Sequence, residues 1–148
     1  MERNCIFCAI ARGQAPAEVV YEDAETMAFL DINPAAPGHT LVIPRRHYRN
    51  LFDLDPEAGA AVMRTAVRVA RALREALRPD GMNMVQANER AGFQSVFHFH
   101  VHLVPRWLGD GIAPPWRQRP ADAATLREVG AKIRRALAPT HETEEQDG

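Results

Sequence analysis

The sequence has almost no net charge and no long hydrophobic run, and each of these absences excludes a class of protein. The formal charge is −1 over 148 residues, so no global attraction draws the chain to nucleic acid or to an anionic membrane. No run of 18 apolar residues and no secretory signal pattern is present. We therefore expect no nucleic-acid partner, no membrane association and a cytoplasmic location.

Cysteine is also scarce. The two cysteines, Cys5 and Cys8, lie too close together to staple a fold, and a reducing compartment keeps such residues as thiols. Their Cys-x-x-Cys spacing suits zinc, but one pair needs two further ligands. The residues alone leave three interpretations open: metal binding, redox chemistry or no role.

Hydrophobic residues make up 46% of the chain, which at this length predicts one domain with its own core. We expect this domain to span residues 1–138 and residues 139–148 to form an acidic, disordered tail. Turn residues and hydrophobic patterning predict an α+β fold with a five-stranded, mainly antiparallel sheet. The predicted helices cover residues 6–11, 55–78 and 121–137, and the predicted strands cover residues 19–21, 26–30, 40–43, 83–87 and 98–104.

The long helix should begin at Asp55 as N-cap with Pro56 in the first turn. Its predicted apolar stripe is Met63, Ala66, Val67, Ala70, Leu73 and Leu77. A row of arginines occupies another face. Because the whole chain is near neutral, we interpret that row as a solvated helix face rather than a nucleic-acid surface.

Three histidines at strict alternation are the most informative feature of the chain. His98, His100 and His102 share one face if the segment is a strand, since side chains two apart point the same way. The residues expected to face the core are Phe97, Phe99, Val101 and Leu103. A fold does not need such a row of imidazoles for stability, which indicates a functional site.

The residues allow three uses of these imidazoles. His-x-His on a strand supplies two ligands for a catalytic zinc ion; a neutral imidazole can instead attack phosphorus; or the row is accidental. Gln94 and Ser95, just before the strand, offer neutral donors suited to phosphate oxygens. No acidic residue flanks the triplet as a further metal ligand, so covalent chemistry at phosphorus is favoured.

The chain at this point resembles the histidine triad (HIT) superfamily, whose signature is His-φ-His-φ-His-φ-φ with φ an apolar residue. The resemblance covers about residues 4 to 107. Besides the triplet, the matching segments are residues 5–8, 21–23, 28–32, 37–44, 47, 88–89 and 94–98. Together these motifs are far more specific than the triplet alone.

The resemblance implies a nucleotide hydrolase and assigns its site residues. His100 resembles the nucleophile that forms a nucleotidyl-histidine intermediate, which water then hydrolyses. His102 is similar to the phosphate-binding histidine on the leaving-group side, and His39 to the upstream histidine that completes the cluster. The implied phosphate cradle is Asn88, Gln94, Ser95 and the backbone around Val96. The implied nucleoside site is Asp31 for the ribose, with Ile6, Phe7, Phe29 and Ile32 around the base.

The substrate stays open within this resemblance. A purine nucleotide with an adenosine phosphoramidate bond and a diadenosine polyphosphate both fit, and a nucleotidyl transferase is a further alternative. A nucleotide-binding scaffold with incidental turnover is the alternative from another class. The resemblance also implies a homodimer and no catalytic cofactor.

Two further expectations follow from the same resemblance. Some bacterial members bind structural zinc, and the matching positions here are Cys5, Cys8, His47 and His98. The family commonly has Gly where this chain has Phe93. Phe makes positive φ and close backbone approach harder, so this position bears on substrate choice.

Overall fold

The structure, a computed structural model, describes residues 4–138. The predicted tail at residues 139–148 lies outside the described residues. Contacts divide the chain into two compact units, one ending at Ile112 and the other starting at Ala113. The expected single domain over residues 1–138 stays a prediction.

The first unit contains a five-stranded antiparallel sheet and two helices. In chain order its elements are α1 (Ile6–Ala11), β1 (Val19–Glu22), β2 (Thr26–Leu30), β3 (Thr40–Pro44), α2 (Pro56–Leu77), β4 (Gly81–Val85), a 3₁₀ turn (Arg90–Gly92) and β5 (Val101–Arg106). The strand order is β1-β2-β3-β5-β4. The second unit contains α3 (Ala123–Leu137). The predicted α+β fold with five strands is confirmed.

Helix α2 begins and ends where its local chemistry dictates. Asp55 caps it by accepting a hydrogen bond from the Glu57 amide at 3.0 Å, and Pro56 occupies the first turn. Arg78 ends it in the left-handed conformation with φ of 52°. The helix contacts β2, β3 and β5, so it covers one face of the sheet.

The predicted apolar stripe of α2 is partly wrong. Met63, Val67 and Leu77 are exposed. The buried residues are Ala61, Val62, Thr65, Ala66 and Val69. These small and β-branched side chains recur at three- and four-residue spacing, so they form the face that lies flat on the sheet.

Alternation along the strands creates one core on each face of the sheet. Ala28 and Val42 pack with α2, Phe99 and Leu103 on one face. The other face carries Phe7, Ile10, Met27, Phe29, Leu41 and Ile43. Since Phe7 and Ile10 belong to α1, this short helix covers the face opposite α2, and the sheet lies between the two helices.

Strand β5 starts at Val101, so the predicted strand over residues 98–104 is wrong at its beginning. Two hydrogen bonds explain the difference. The His98 carbonyl accepts a hydrogen bond from the His100 imidazole at Nδ1, and the Phe99 amide donates to the Tyr48 carbonyl at 2.7 Å. These groups are thereby withdrawn from a regular strand ladder. Phe99 and Leu103 enter the core as expected, but Phe97 is half-buried with the Arg49 guanidinium 4.4 Å above its ring.

Two further boundaries differ from prediction. Strand β4 covers Gly81–Val85 rather than residues 83–87, because Gly81 already pairs with Arg106. Helix α3 starts at Ala123 rather than Ala121, because Asp122 accepts a hydrogen bond from the Thr125 amide as N-cap. Within residues 4–138, no helix combines the length and hydrophobicity needed to cross a membrane.

Gly38, just before β3, should be the least replaceable glycine of the first unit. Its φ is +83°, and an added Cβ would clash with Leu77 Cδ1 and lie 3.3 Å from Pro105 Cγ. At Gly13, φ is +72° but nothing lies within 4 Å of such a Cβ. We expect Gly13→Ala to lose about 1–2 kcal/mol for the left-handed backbone, and Gly38→Ala about 1 kcal/mol or more beyond that for overpacking. Urea unfolding measures both, and equal losses would contradict the clash.

Candidate active site and metal centre

A cleft of about 300 Å³ lies against the α1 face of the sheet. It brings together residues from α1, β2, β3, β5 and the loop before β5. The predicted site residues that line it are Ile6, Phe7, Phe29, Asp31, Ile32, Ser95, Val96, His100 and His102. Residues up to 96 positions apart in sequence therefore line one cleft, as expected for the predicted nucleotide site.

The apolar end of the cleft has a rigid floor and exposed rims. The rings of Phe7 and Phe29 are buried and meet edge to face with centroids 5.3 Å apart. Ile6 is half exposed, and Ile32 is 87% exposed. Burying such rims under a flat ligand would remove apolar surface from water, so this end suits an aromatic base.

His100 is buried and held in one tautomer by the main chain. Its Nδ1 lies 2.7 Å from the carbonyl oxygen of His98. A carbonyl only accepts hydrogen bonds, so Nδ1 carries the proton and Nε2 keeps its lone pair. Burial lowers the pKa of His100, and the edge of Phe7 packs on its ring at 5.1 Å. This imidazole therefore has a free lone pair on Nε2, the feature that a nitrogen nucleophile requires.

A second main-chain group sets the tautomers of His39 and His102. The Ala35 amide donates to His39 Nδ1 at 3.0 Å, so His39 carries its proton on Nε2. His39 Nε2 lies 2.9 Å from His102 Nδ1 and donates to it. His102 must then carry its own proton on Nε2. Burial, together with the neighbouring imidazoles of His100 and His39, lowers the pKa of His102 to about 4.

Asp31 forms a turn and also lines the cleft. One carboxylate oxygen accepts the Asn33 amide at 2.8 Å, which forms the turn after β2. The other lies 3.6 Å from His39 Nε2. The side chain is 18% exposed and lines the cleft, so a turn-forming carboxylate is also available to a ligand.

The side chains of Asn88 and Gln94 are committed to the protein itself. The Asn88 amide exchanges two hydrogen bonds of 2.8 Å with Gln86 and accepts the Leu51 amide at 2.7 Å. Gln94 is buried and donates to the carbonyls of Arg49 and Val96. Both amides hold loops together, while Ser95 and Val96 face the cleft.

Phe93 adopts the conformation that the usual glycine would allow. Its φ is 68°, in the left-handed region, and its ring is 70% exposed. Phe93 therefore adopts a positive φ despite its side chain. An aromatic surface is added next to Gln94 and Ser95 instead.

The four predicted metal ligands, Cys5, Cys8, His47 and His98, meet in one cluster whose ligand atoms all lie within 4.8 Å of one another. His98 Nδ1 is 3.3 Å from Cys5 Sγ and 3.5 Å from Cys8 Sγ, and His47 Nδ1 is 3.4 Å from Cys8 Sγ. Sulfur and nitrogen ligands of one tetrahedral zinc ion lie about 3.5 Å apart. His98 Nε2 donates to the Pro44 carbonyl at 2.8 Å, which leaves Nδ1 unprotonated for an ion. The donor set and its spacing fit zinc.

A second group, Asp31, His39 and His102, also brings potential ligand atoms within 4.8 Å. Its tautomers disfavour an ion. The Ala35 amide places the His39 proton on Nε2, the atom that would have to coordinate. This cluster is therefore suited to hydrogen bonding rather than to metal.

Sequence reasoning gave no role to two residues that bond to Gln94: Asn50, which it did not single out, and Glu89, which it used only as part of a matching segment. Asn50 is 1% exposed and donates to the side chains of Glu89 and Gln94. No short-range spacing marks Asn50, because Glu89 and Gln94 lie 39 and 44 residues further along the chain.

Comparison with known proteins agrees with this geometry. The HIT domain family model matches residues 12–107. "Protein hit" of Bacillus subtilis is 38% identical over 138 residues, covering 91% of this chain and 95% of that protein. Adenylylsulfatase HINT3 of Arabidopsis thaliana is 36% identical over 72% of this chain and 54% of its own length. The crystal structure of a Zn-bound histidine triad family protein from Mycobacterium smegmatis superposes with a TM-score of 0.71 at 42% identity, covering 90% of this chain and 97% of that one.

The buried neutral state of His102 predicts how stability depends on pH. Its folded pKa is about 4 and its ordinary value is 6.5, so between these values the unfolded chain binds more protons. The free energy of unfolding then falls as pH drops from 6.5 towards 4. We expect the slope of wild type to exceed that of His102→Gln by up to about 1.4 kcal/mol per pH unit, the contribution of one proton. Urea unfolding of chelator-treated protein at several pH values measures it, and identical slopes would contradict the buried neutral imidazole.

Proposed function

This chain belongs to the histidine triad (HIT) family, and from that membership we propose that it hydrolyses a nucleoside 5′-monophosphate away from its leaving group through His100. The observation that carries the proposal is the hydrogen bond from His100 Nδ1 to the His98 carbonyl, which leaves a neutral Nε2 beside a cleft with an apolar slot. The Arabidopsis relative is an adenylylsulfatase, which supports an adenylyl substrate.

In the first step His100 Nε2 attacks the α-phosphorus. A nitrogen–phosphorus bond forms as the bond from phosphorus to the leaving group breaks. His102 carries a proton on Nε2 because His39 donates to its Nδ1, and this N–H donates a hydrogen bond to the departing atom. Solvent water supplies the proton with which the departing group leaves, and becomes hydroxide. Ser95 and the backbone at Val96 stabilise charge on the non-bridging oxygens.

In the second step water attacks the same phosphorus. The nitrogen–phosphorus bond breaks, His100 regains its lone pair, and the nucleoside monophosphate leaves. The proton of the attacking water passes to the hydroxide left by the first step, so His102 stays neutral in both steps. His39 keeps the His102 ring oriented throughout, because its Nε2 proton is directed at His102 Nδ1.

The substrate we propose is a purine nucleoside phosphoramidate of the adenosine type. The slot formed by Phe7 and Phe29 suits a flat base, and the carboxylate of Asp31 suits ribose hydroxyls. A diadenosine polyphosphate is the alternative that Phe93 favours, since its exposed ring offers a surface for a second base.

We propose that Cys5, Cys8, His47 and His98 hold a structural zinc ion. Four protein ligands close such a site, so the ion adds stability rather than a reacting water. It would tie α1, which supplies Ile6 and Phe7 to the cleft, to the segments that carry His47 and His98.

We also propose a homodimer. Strand β4 lies at the edge of the sheet, and it presents exposed Met84 and Val85. An exposed apolar edge strand is a surface that a second copy can cover. Sedimentation velocity measures the mass of the particle, and a strictly monomeric species would refute this part of the proposal.

His100→Ala should abolish turnover while sparing nucleotide binding. We expect the release of AMP from adenosine 5′-phosphoramidate to fall at least about 10³-fold, because the bond-forming atom is removed. The affinity for AMP should change little, since the apolar slot remains. Denaturing mass spectrometry of wild type during turnover should detect an adduct of one AMP, and the variant should show none.

A variant that keeps the wild-type rate would refute covalent catalysis by His100. Activity lost on chelation without any adduct would point to a metal-dependent hydrolase instead. Parallel assays with a diadenosine polyphosphate and with phosphate as acceptor compare the alternative substrate and the transferase reaction.

Cys8→Ser should remove the metal by changing a residue that does not line the cleft. We expect the zinc content of the purified protein, measured by atomic absorption, to fall from about one ion per chain to near zero. A structural site that has lost one of its four ligands binds zinc weakly. His39→Gln is the matched control, since it alters the second cluster and should retain zinc. Zinc-free wild type, or equal loss in both variants, would disprove the assignment.

A further inference from the structure

Two loops that are distant in sequence are joined by buried hydrogen bonds beside the cleft. One contains residues 48–50. The other contains Glu89 and the phosphate loop, which we define as residues 94–97 and which carries Ser95 and Val96. We propose that Asn50, Glu89 and Gln94 form a brace that positions the phosphate loop against His100, so that they are positioning residues for the reaction. This inference rests on the proposed function of the cleft.

Gln94 is the member of the brace that reaches the phosphate loop. Its Nε2 donates to the Arg49 carbonyl at 2.7 Å and to the Val96 carbonyl at 3.0 Å. Its Oε1 accepts the Glu89 amide at 2.8 Å and the Asn50 side chain at 3.2 Å. All four bonds of the amide are used inside the protein, and one of them holds Val96 directly.

Asn50 connects the other two members. Its Nδ2 donates to Glu89 Oε2 and to Gln94 Oε1, and its Oδ1 accepts the Phe52 amide at 3.0 Å. It is 1% exposed. A buried amide with each partner satisfied fixes the relative position of the elements that it joins, because any shift leaves a polar group unpaired.

Glu89 is held in a backbone conformation that few residues other than glycine adopt. Its φ is 61° and its ψ is 169°. The two carboxylate oxygens each accept a hydrogen bond of 2.8 Å from Arg49. The bonds from Arg49 and Asn50 lower the pKa of Glu89 to about 2, so the carboxylate is charged at neutral pH and its side-chain bonds hold the strained residue in place.

The segment over residues 48–50 is hydrogen-bonded both to the residue before His100 and to the phosphate loop. The Tyr48 carbonyl accepts the Phe99 amide, next to His100, at 2.7 Å. The Arg49 carbonyl and Asn50 hold Gln94, next to Ser95. The distance from the predicted nucleophile to the predicted phosphate donors is therefore set through one short segment. Catalysis is sensitive to shifts of about 1 Å in such a distance.

The test is Asn50→Asp in the full chain. This change keeps the shape but places a carboxylate beside that of Glu89 and removes the donor to Gln94. We expect kcat for adenosine 5′-phosphoramidate, normalised to the number of sites that form the adduct, to fall about 10- to 100-fold. KM should change less than about threefold, because the apolar slot is untouched. Hydrogen exchange of the amides at 94–97 should become faster. Counting adduct-forming sites separates positioning from loss of folded protein.

Two further variants complete the design. Asn50→Asp combined with Glu89→Gln reverses donor and acceptor between these positions and should recover part of kcat. Glu22→Gln is the matched control, because Glu22 pairs with Arg45 on the surface at 3.3 Å, away from both loops. It should leave kcat and the exchange of 94–97 unchanged. If Asn50→Asp does not fold, Glu89→Gln alone takes its place, with the same expected loss.

The outcomes distinguish the brace from the proposed function. Wild type without turnover or adduct would overturn the proposed function, and exchange at residues 94–97 would still decide whether the brace exists. An active wild type with kcat of Asn50→Asp within twofold, or with unchanged exchange, would overturn the brace. Equal loss in the double variant and the single variant would also count against it.

Discussion

The hydrogen bond between His100 Nδ1 and the His98 carbonyl is the interaction on which the site depends. Three of the imidazoles have a tautomer dictated by a main-chain group: the His98 carbonyl for His100, the Ala35 amide for His39 and the Pro44 carbonyl for His98. Main-chain groups cannot change from donor to acceptor. The protein thereby places a lone pair on His100 Nε2 and on His98 Nδ1, and a proton on His102 Nε2.

His98 couples the two clusters of the molecule. Its side chain faces Cys5 and Cys8, while its carbonyl orients His100. Occupation of the proposed metal site would thus stabilise the residue that aligns the proposed nucleophile. The ion itself need not reach the reacting phosphorus. Of the three alternating imidazoles, His100 and His102 therefore line the cleft, while His98 belongs to the cluster with the cysteines.

Local signals in the sequence predicted most of the fold, and the family resemblance named residues that the structure places along the cleft. The N-cap at Asp55 with Pro56 predicted the start of α2, and the short hydrophobic run after the turn at residues 22–24 predicted β2 with the same bounds. The stripe on α2 was misjudged because Met63 and Val67 are apolar but lie beside the face that the sheet covers. The start of β5 was misjudged because a side chain, His100, takes a carbonyl that a strand would use. Asn50 left no local signal, since its side-chain partners Glu89 and Gln94 are 39 and 44 residues away in sequence.

The sequence by itself determined which chemistry is available: three alternating imidazoles, a neutral hydroxyl and amide before them, and a Cys-x-x-Cys pair. These depend on residue type and on spacing within one segment, and periodicity makes such spacing readable. Only the tertiary structure decided the proton positions, the use of the Gln94 amide inside the loop and the meeting of His47 with Cys8. The proton position on His102 depends on His39, the Gln94 amide donates to the Arg49 carbonyl, and His47 meets Cys8. Each of these contacts joins residues at least 39 positions apart, and local patterning contains no information about such contacts.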